Sequence, residues 1–263
     1  MMYHGTGEGQ LTGIGLASDA LVTEGFVDRV REGDGVVLDA PARRDLWFGH
    51  GFVLDAPPDR RRLDALIAEG RERYRRTGAE RFVVMWERAI GTREPFGIWP
   101  GGVAEHRAVV HVYDGPLPVP DPRVVDLEGD AMWNAATALA TDEYPEFAAF
   151  MTRRFYDFRD AVAAGRARSV TILDENRAVA CTATLYRGDG LARFAAPVTR
   201  PDARGRGLFS ACARSLIASA NEDAARRVVI LANHGSGPVP LYERLGFRPI
   251  AFDEAAVVPV RAT

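Results

Sequence analysis

The apolar positions change their spacing along the chain, and each change marks an element. Trp47 to Leu54 and Arg81 to Trp86 are short runs rich in β-branched and aromatic residues, which predicts strands, with a further strand at Val109 to Tyr113. Between the first two, Leu63, Leu66, Ile67 and Tyr74 recur at helical spacing, so Arg61 to Arg75 is expected to be a helix. Seven arginines (Arg60, Arg61, Arg62, Arg71, Arg73, Arg75 and Arg76) fill its other faces and read first as a solvated surface, second as an anion-facing one.

Later in the chain the pattern predicts a strand at Arg123 to Leu127, then helices near Met132 to Ala140 and from Pro145 to about Ala164. Pro145 suits a first helical position, where a missing N–H costs nothing. Strands are expected at Ser169 to Leu173, Val179 to Tyr186 and Leu191 to Val198, joined by the turn signals Asp174-Glu175-Asn176 and Arg187-Gly188-Asp189-Gly190. Leu208, Cys212 and Leu216, with Phe209, Ala213 and Ile217 beside them, give a helix from about Gly207 to Ala220. A strand at Val228 to Ala232, a short helix around Pro240 to Leu245 and a strand at Arg248 to Phe252 follow. Antiparallel meanders alternating with helices define a mixed α/β (α+β) class.

Two features divide the chain. Pro116, Pro118, Pro120 and Pro122 alternate with other residues, which excludes a helix and favours a stiff connector. The glycine-rich start, Met1 to Gly15, follows no strand and reads as a flexible leader. The expected organisation is a leader at 1–20, an α/β domain at 21–115, a proline-rich linker at 116–122 and a second domain at 123–263.

Composition narrows the function. Of the 263 residues, 47% are apolar and 26% charged, ordinary for a globular protein. The 33 cations, all arginine, are balanced by 36 carboxylates, so no strong positive field favours nucleic acid. No apolar run reaches the roughly 18 residues of a membrane span, and no membrane partner is expected. Cys181 and Cys212 fall in an expected strand and helix, as small buried thiols do, and fit a reducing, cytoplasmic location. His4, His50, His106, His111 and His234 form no metal-spaced set; His234 alone is a candidate for catalysis.

The sharpest chemical signal is Arg204-Gly205-Arg206-Gly207-Leu208-Phe209, after an expected strand and at the head of an expected helix. Glycines let the backbone approach a ligand, the helix start offers N–H groups and a positive dipole end, and the arginines add charge: a phosphate-binding turn. Downstream stand Asn233 and the run Leu241-Tyr242-Glu243-Arg244-Leu245-Gly246-Phe247.

With these two motifs in this order, the C-terminal half resembles the GNAT N-acetyltransferase superfamily. That family's loop runs Arg or Gln, two residues, Gly, one residue, Gly or Ala; here Phe209 holds the last small position. The resemblance implies a mixed sheet flanked by helices and acetyl-CoA as acyl donor. It places the backbone of Val198 and Thr199 along the pantetheine arm and Arg204, Gly205, Arg206, Gly207, Leu208 and Phe209 at the pyrophosphate. Tyr242 would lie near the thioester sulfur as proton donor, with Asn233 a further cofactor-side group. Between Asn233 and Tyr242 the chain is longer and more irregular than the family pattern.

The implied reaction is direct attack on the thioester by an amine of a small-molecule acceptor, so no nucleophilic Ser or Cys is needed. Leu191 to Val198 holds no carboxylate, which leaves Asp142, Glu143 and Glu146 as candidate bases beside the expected acceptor site. The same region carries Trp133, Tyr144, Phe147, Phe150, Phe155, Tyr156 and Phe158, mostly core in expectation and partly acceptor pocket. The first half loosely resembles a degenerate GNAT domain without a phosphate loop, so a tandem pair is expected in which that half has lost the cofactor and shapes the acceptor cleft. The alternative reading is a coenzyme A-binding regulatory or interaction protein without transferase activity.

Overall fold

The computed structural model describes residues 13–92, 99–222, 225 and 227–261, and the chain packs as two compact units. Residues up to Val112, with Leu231–Pro240 and Arg248–Thr263, make the first; Tyr113–Ile230 and Leu241–Phe247 make the second.

In the first unit, α1 (Ile14–Thr23) precedes the hairpin β1 (Asp28–Glu32) and β2 (Gly35–Asp39), then β3 (Gly51–Leu54), α2 (Arg60–Thr77), β4 (Arg81–Ala89) and β5 (Ala104–Tyr113). A last strand, β11 (Phe247–Pro259), comes from the far end of the chain, and the order across the sheet is β1-β2-β3-β4-β11-β5. β3 and β4 are parallel, with Gly51 opposite Val83 and Leu54 opposite Trp86. β4 and β11 are antiparallel over nine pairs, from Ala89–Ala251 to Arg81–Pro259.

α2 forms where its apolar stripe requires. Leu63, Leu66, Ile67 and Tyr74 are buried against Phe52, Phe82, Val84 and Trp86, and Ala256 and Val258 of β11, with Val260 just beyond it, complete that core. The Tyr74 hydroxyl donates to Leu38 O at 2.7 Å and to Gly51 O at 3.0 Å. Most of the helix's arginines are spent in ion pairs, Arg60 with Asp64, Arg62 with Asp34, Arg73 with Glu32, and Arg75 with Glu72, which bears out a solvated face.

The second unit follows the pattern of its apolar positions closely. β6 (Val124–Asp126) leads to α3 (Gly129–Glu143), a 3-10 turn at Pro145–Phe147 and α4 (Ala148–Ala163). The meander β7 (Ala167–Leu173), β8 (Val179–Gly188) and β9 (Leu191–Thr199) is followed by a 3-10 turn at Pro201–Ala203, α5 (Leu208–Glu222), β10 (Arg227–Asn233), which belongs to this unit as far as Ile230, and α6 (Val239–Arg244), which belongs to it from Leu241. Sheet order is β10-β9-β8-β7-β6, antiparallel except for the parallel β9–β10 pair.

Three expectations need correction. The leader reading of 1–20 fails from Ile14 on, because the Glu87 carboxylate accepts from Ile14 N at 3.2 Å and Gly15 N at 2.6 Å and so anchors the start of α1; residues 1–12 lie outside the described residues. Only Gly51–Leu54 of the expected strand Trp47 to Leu54 is extended, since Trp47–Gly49 forms a 3-10 turn. The expected second domain, 123–263, loses its last segment: β11 continues past Phe252 and belongs to the first unit. Asp253 and Glu254 look like a strand's end, yet Glu254 is buried, accepting from Trp86 Nε1 at 2.8 Å and Arg88 Nη2 at 2.7 Å, with Arg107 Nε at 3.3 Å.

Candidate functional site

β9 carries the backbone of the site. Its register with β8 passes from Thr184–Ala195 to Thr182–Val198, so Ala196 and Pro197 together face Ala183: a β-bulge. Ala196 has φ +39°, in the left-handed region where a Cβ is unfavourable by about 1–2 kcal/mol. Pro197 has no N–H to give to a ladder. On the other side, among the described residues, the ladder with β10 covers only Leu191–Arg193 against Arg227–Val229, while β9 runs on to Thr199. The stretch through Val198 and Thr199 is thus paired on its β8 side, and its other edge has backbone groups to offer a ligand.

Beyond Thr199 the chain turns at Pro201–Ala203 and reaches the head of α5. Gly205 and Gly207 have φ +76° and +71°, and a Cβ at either would meet no protein atom within 4 Å. The helix's bonding begins with Ala211 N donating to Gly207 O at 3.0 Å, so the N–H groups of Leu208, Phe209 and Ser210 have no carbonyl behind them within the helix. Positive-φ glycines, first-turn N–H groups and open space above them make a turn whose geometry and polarity fit an anionic group such as a pyrophosphate.

The arginines are partly engaged. Arg204 donates from Nε to Thr199 O at 3.2 Å and from Nη2 to the Glu143 carboxylate at the end of α3. Arg200 bridges Asp174 (2.8 Å) and Asp202 (2.6 Å); it holds the Asp202 carboxyl below its usual range, and the Ala178 N–H together with Arg200 does the same for Asp174. Arg206 is exposed.

Phe209, the departure from the family's small residue, turns inward. It is 8% exposed, with its ring 5.9 Å from Tyr242 and 6.4 Å from Phe194. Phe247 closes the group, 6.3 Å from Tyr242 and 6.0 Å from Phe194. The bulk at position 209 therefore sits beneath the loop and ties α6 to it. Tyr242 is 5% exposed, and burial pushes its phenol up to about 12; the nearby Tyr144 adds to the rise and the Arg193 guanidinium opposes it.

The second unit thus holds Val198, Thr199, Arg204 to Phe209 and Tyr242. Asn233 closes β10 within the first unit, where its carbonyl accepts from Ser236 N at 3.0 Å; His234 lies edge-on to Phe252 at 5.5 Å. Of the three candidate bases, Glu143 is bound by Arg204, and Asp142 and Glu146 are exposed. Trp133, Phe155 and Phe158 are core, whereas Tyr144, Phe147 and Tyr156 are exposed. The roles of the bulge, of Tyr144 and of Phe209 as an anchor were not read from the sequence; Pro197 within a strand pattern was the available signal for the first.

The first unit has a corresponding strand-to-helix turn, Asp55-Ala56-Pro57-Pro58-Asp59, between β3 and α2. There the β3–β4 ladder continues to the end of β3, and the Asp59 side chain accepts from Arg62 N at 2.7 Å. A carboxylate of the chain itself occupies that helix start.

A mixed sheet flanked by helices, with a glycine turn between a bulged strand and a helix, is the GNAT acetyltransferase fold. Residues 133–247 match the sequence profile of the Acetyltransferase (GNAT) family and form a domain of that family. The fold recurs in solved structures across nearly the whole chain. A functionally unknown conserved protein from Staphylococcus epidermidis aligns with TM-score 0.68 at 10% identity, covering 89% of this chain and 94% of that one. A GCN5-related N-acetyltransferase from Kribbella flavida gives 0.58 at 18%, covering 90% and 91%. A tandem GNAT protein from the clavulanic acid biosynthesis pathway gives 0.59 at 15%, covering 98% and 91%. No curated protein matches significantly in sequence.

Proposed function

We propose that the chain is a cytoplasmic N-acetyltransferase that moves an acetyl group from acetyl-CoA to an amine of a small molecule by direct attack. The observation that carries this reading is the open glycine turn at the head of α5, tied through Phe209 to a buried, protonated Tyr242.

In this reading the N–H groups of Gly205 to Phe209 hold the pyrophosphate, with Arg204 and Arg206 adding charge. The edge of β9 away from β8, at Val198 and Thr199, pairs with the pantetheine amides. When bound, acetyl-CoA supplies the activated carbonyl and a thiol leaving group. Tyr242 gives the proton at its hydroxyl oxygen to the departing sulfur; its raised pKa keeps that proton in place at neutral pH. β9 contains no carboxylate and Glu143 is engaged, so the amine's proton leaves through solvent, beside the exposed Asp142 and Glu146. The first unit is read as a degenerate partner that binds no donor, because Asp59 fills its helix start.

Calorimetric titration with acetyl-CoA and with CoA tests this, run beside the double variant Arg204→Ala, Gly207→Glu. We expect saturable binding at one site per chain, lost in the variant, and an amide product when amines are screened. No binding by folded wild type would remove the donor site, two sites per chain would remove the reading of the first unit, and a product other than an amide would change the reaction class.

A further inference from the structure

We propose that Cys181 and Cys212 are a dithiol which a peroxide closes to a disulfide, and that closure weakens the donor site. The proposal rests on the donor-site reading above for its second half only.

Cys181 lies on β8 and Cys212 on the second turn of α5, with their sulfurs 4.0 Å apart and both thiols free and fully buried. A disulfide needs about 2.05 Å between sulfurs, so the two must close by about 2 Å. The pair connects to the phosphate turn by short steps. Cys181 stands opposite Thr199 in the β8–β9 ladder, its Sγ 3.2 Å from Thr199 Oγ1, and Thr199 O accepts from Arg204 Nε. Cys212 follows Ala211, whose N–H makes the bond to Gly207 O at the helix start. Closure therefore pulls on α5 one turn from the groups that would hold pyrophosphate and takes the Cys181 sulfur from Thr199.

The two thiols are not equivalent. Hydrogen bonds from Cys212 and Thr199 hold the Cys181 thiol below its ordinary range, whereas the Cys212 thiol is pushed up by its neighbour and by burial. Cys181 is thus the attacking sulfur. Its thiolate attacks one oxygen of hydrogen peroxide, the O–O bond breaks, and the released hydroxide takes the proton Cys181 gave up, leaving a sulfenic acid and water. The Cys212 sulfur then attacks the sulfenic sulfur, the S–O bond breaks, and hydroxide leaves with the Cys212 proton as a second water. Two electrons pass from the sulfurs to the peroxide. Burial of both thiols restricts the oxidant to a small one and admits it through local opening.

The experiment compares full-length wild type, reduced or treated with hydrogen peroxide, by intact mass, by thiol titration after unfolding and by acetyl-CoA titration. Expected are a mass lower by two hydrogens with no dimer, loss of both thiols, and donor affinity lower by about tenfold or more, restored by dithiothreitol. Cys212→Ala should form no disulfide and keep its affinity under peroxide, and Cys181→Ala should form no disulfide. Two titratable thiols after treatment, a disulfide between chains, or a disulfide with unchanged donor affinity each overturns the proposal. If reduced wild type does not bind acetyl-CoA at all, the donor-site reading falls and the weakening with it, while mass and thiol count still decide the disulfide.

Discussion

Tyr242 illustrates how burial holds a proton on a side chain. Set among Phe209 and Phe247, its phenol is pushed up by burial to about 12, so it stays protonated throughout the neutral and mildly alkaline range. Tyr242→Phe keeps the ring packing and removes only the proton; turnover should fall by about a hundredfold or more with donor affinity unchanged, as steady-state kinetics and calorimetry would show. An unaffected rate would end its role as the acid and favour a coenzyme A-binding protein without that chemistry. The same burial has a stability consequence. Tyr74, Tyr186 and Tyr242 all have phenols raised by burial in the folded protein, above the ordinary 10. A raised folded-state pKa gives stability that is complete below the unfolded value and lost as pH climbs through the folded one. Unfolding free energy should therefore hold to about pH 10 and fall towards pH 12. Urea titrations across that range should show a shallower fall for Tyr242→Phe.

Elements were legible where one periodicity runs through them and obscure where a distant partner decides. α2, α5 and the meander β7 to β9 show their stripes and alternations plainly, so those readings needed only end corrections. The β1–β2 hairpin has Asp-Arg-Val-Arg-Glu as its first strand, mostly exposed and without an apolar face, and no periodicity announces it. The glycine turn at the head of α5 could be recognised from its residues, but the bulge at Ala196–Pro197 and the inward turn of Phe209 involve contacts with β8 and α6, far away in sequence. Gly70 gives a test at this scale. In an exposed helix, glycine to alanine gains about 1 kcal/mol, yet a Cβ at Gly70 would lie 2.2 Å from the Phe82 ring. Gly70→Ala should instead destabilise the protein by about 1–3 kcal/mol in urea unfolding. A stabilised variant would show that α2 and β4 are less tightly packed.

At the scale of the whole molecule, the strand that completes the first unit is the last one made. β11 pairs with β4 along nine residues and contributes Ala256 and Val258 to the core beneath α2, with Val260 following just after it. Deleting residues 248–263 should therefore expose the first unit, leaving α2 and β1 to β4 open to limited proteolysis, although the sequence assigns those residues to the other half. Unchanged protection of 14–89 would contradict that dependence.

The sequence by itself determined most of the element types, the glycine turn before a helix, and the match of residues 133–247 to the GNAT family, because each is written in neighbouring residues: periodicity, turn residues, a motif before a helix. Only the tertiary structure decided that Glu87 holds α1, that Asp59 fills the first unit's helix start, that Arg204 engages Glu143 and that β11 crosses to the first unit. Those are contacts between groups far apart in the chain. Their partners are selected by burial of apolar surface and satisfaction of polar groups in three dimensions, which no local pattern records.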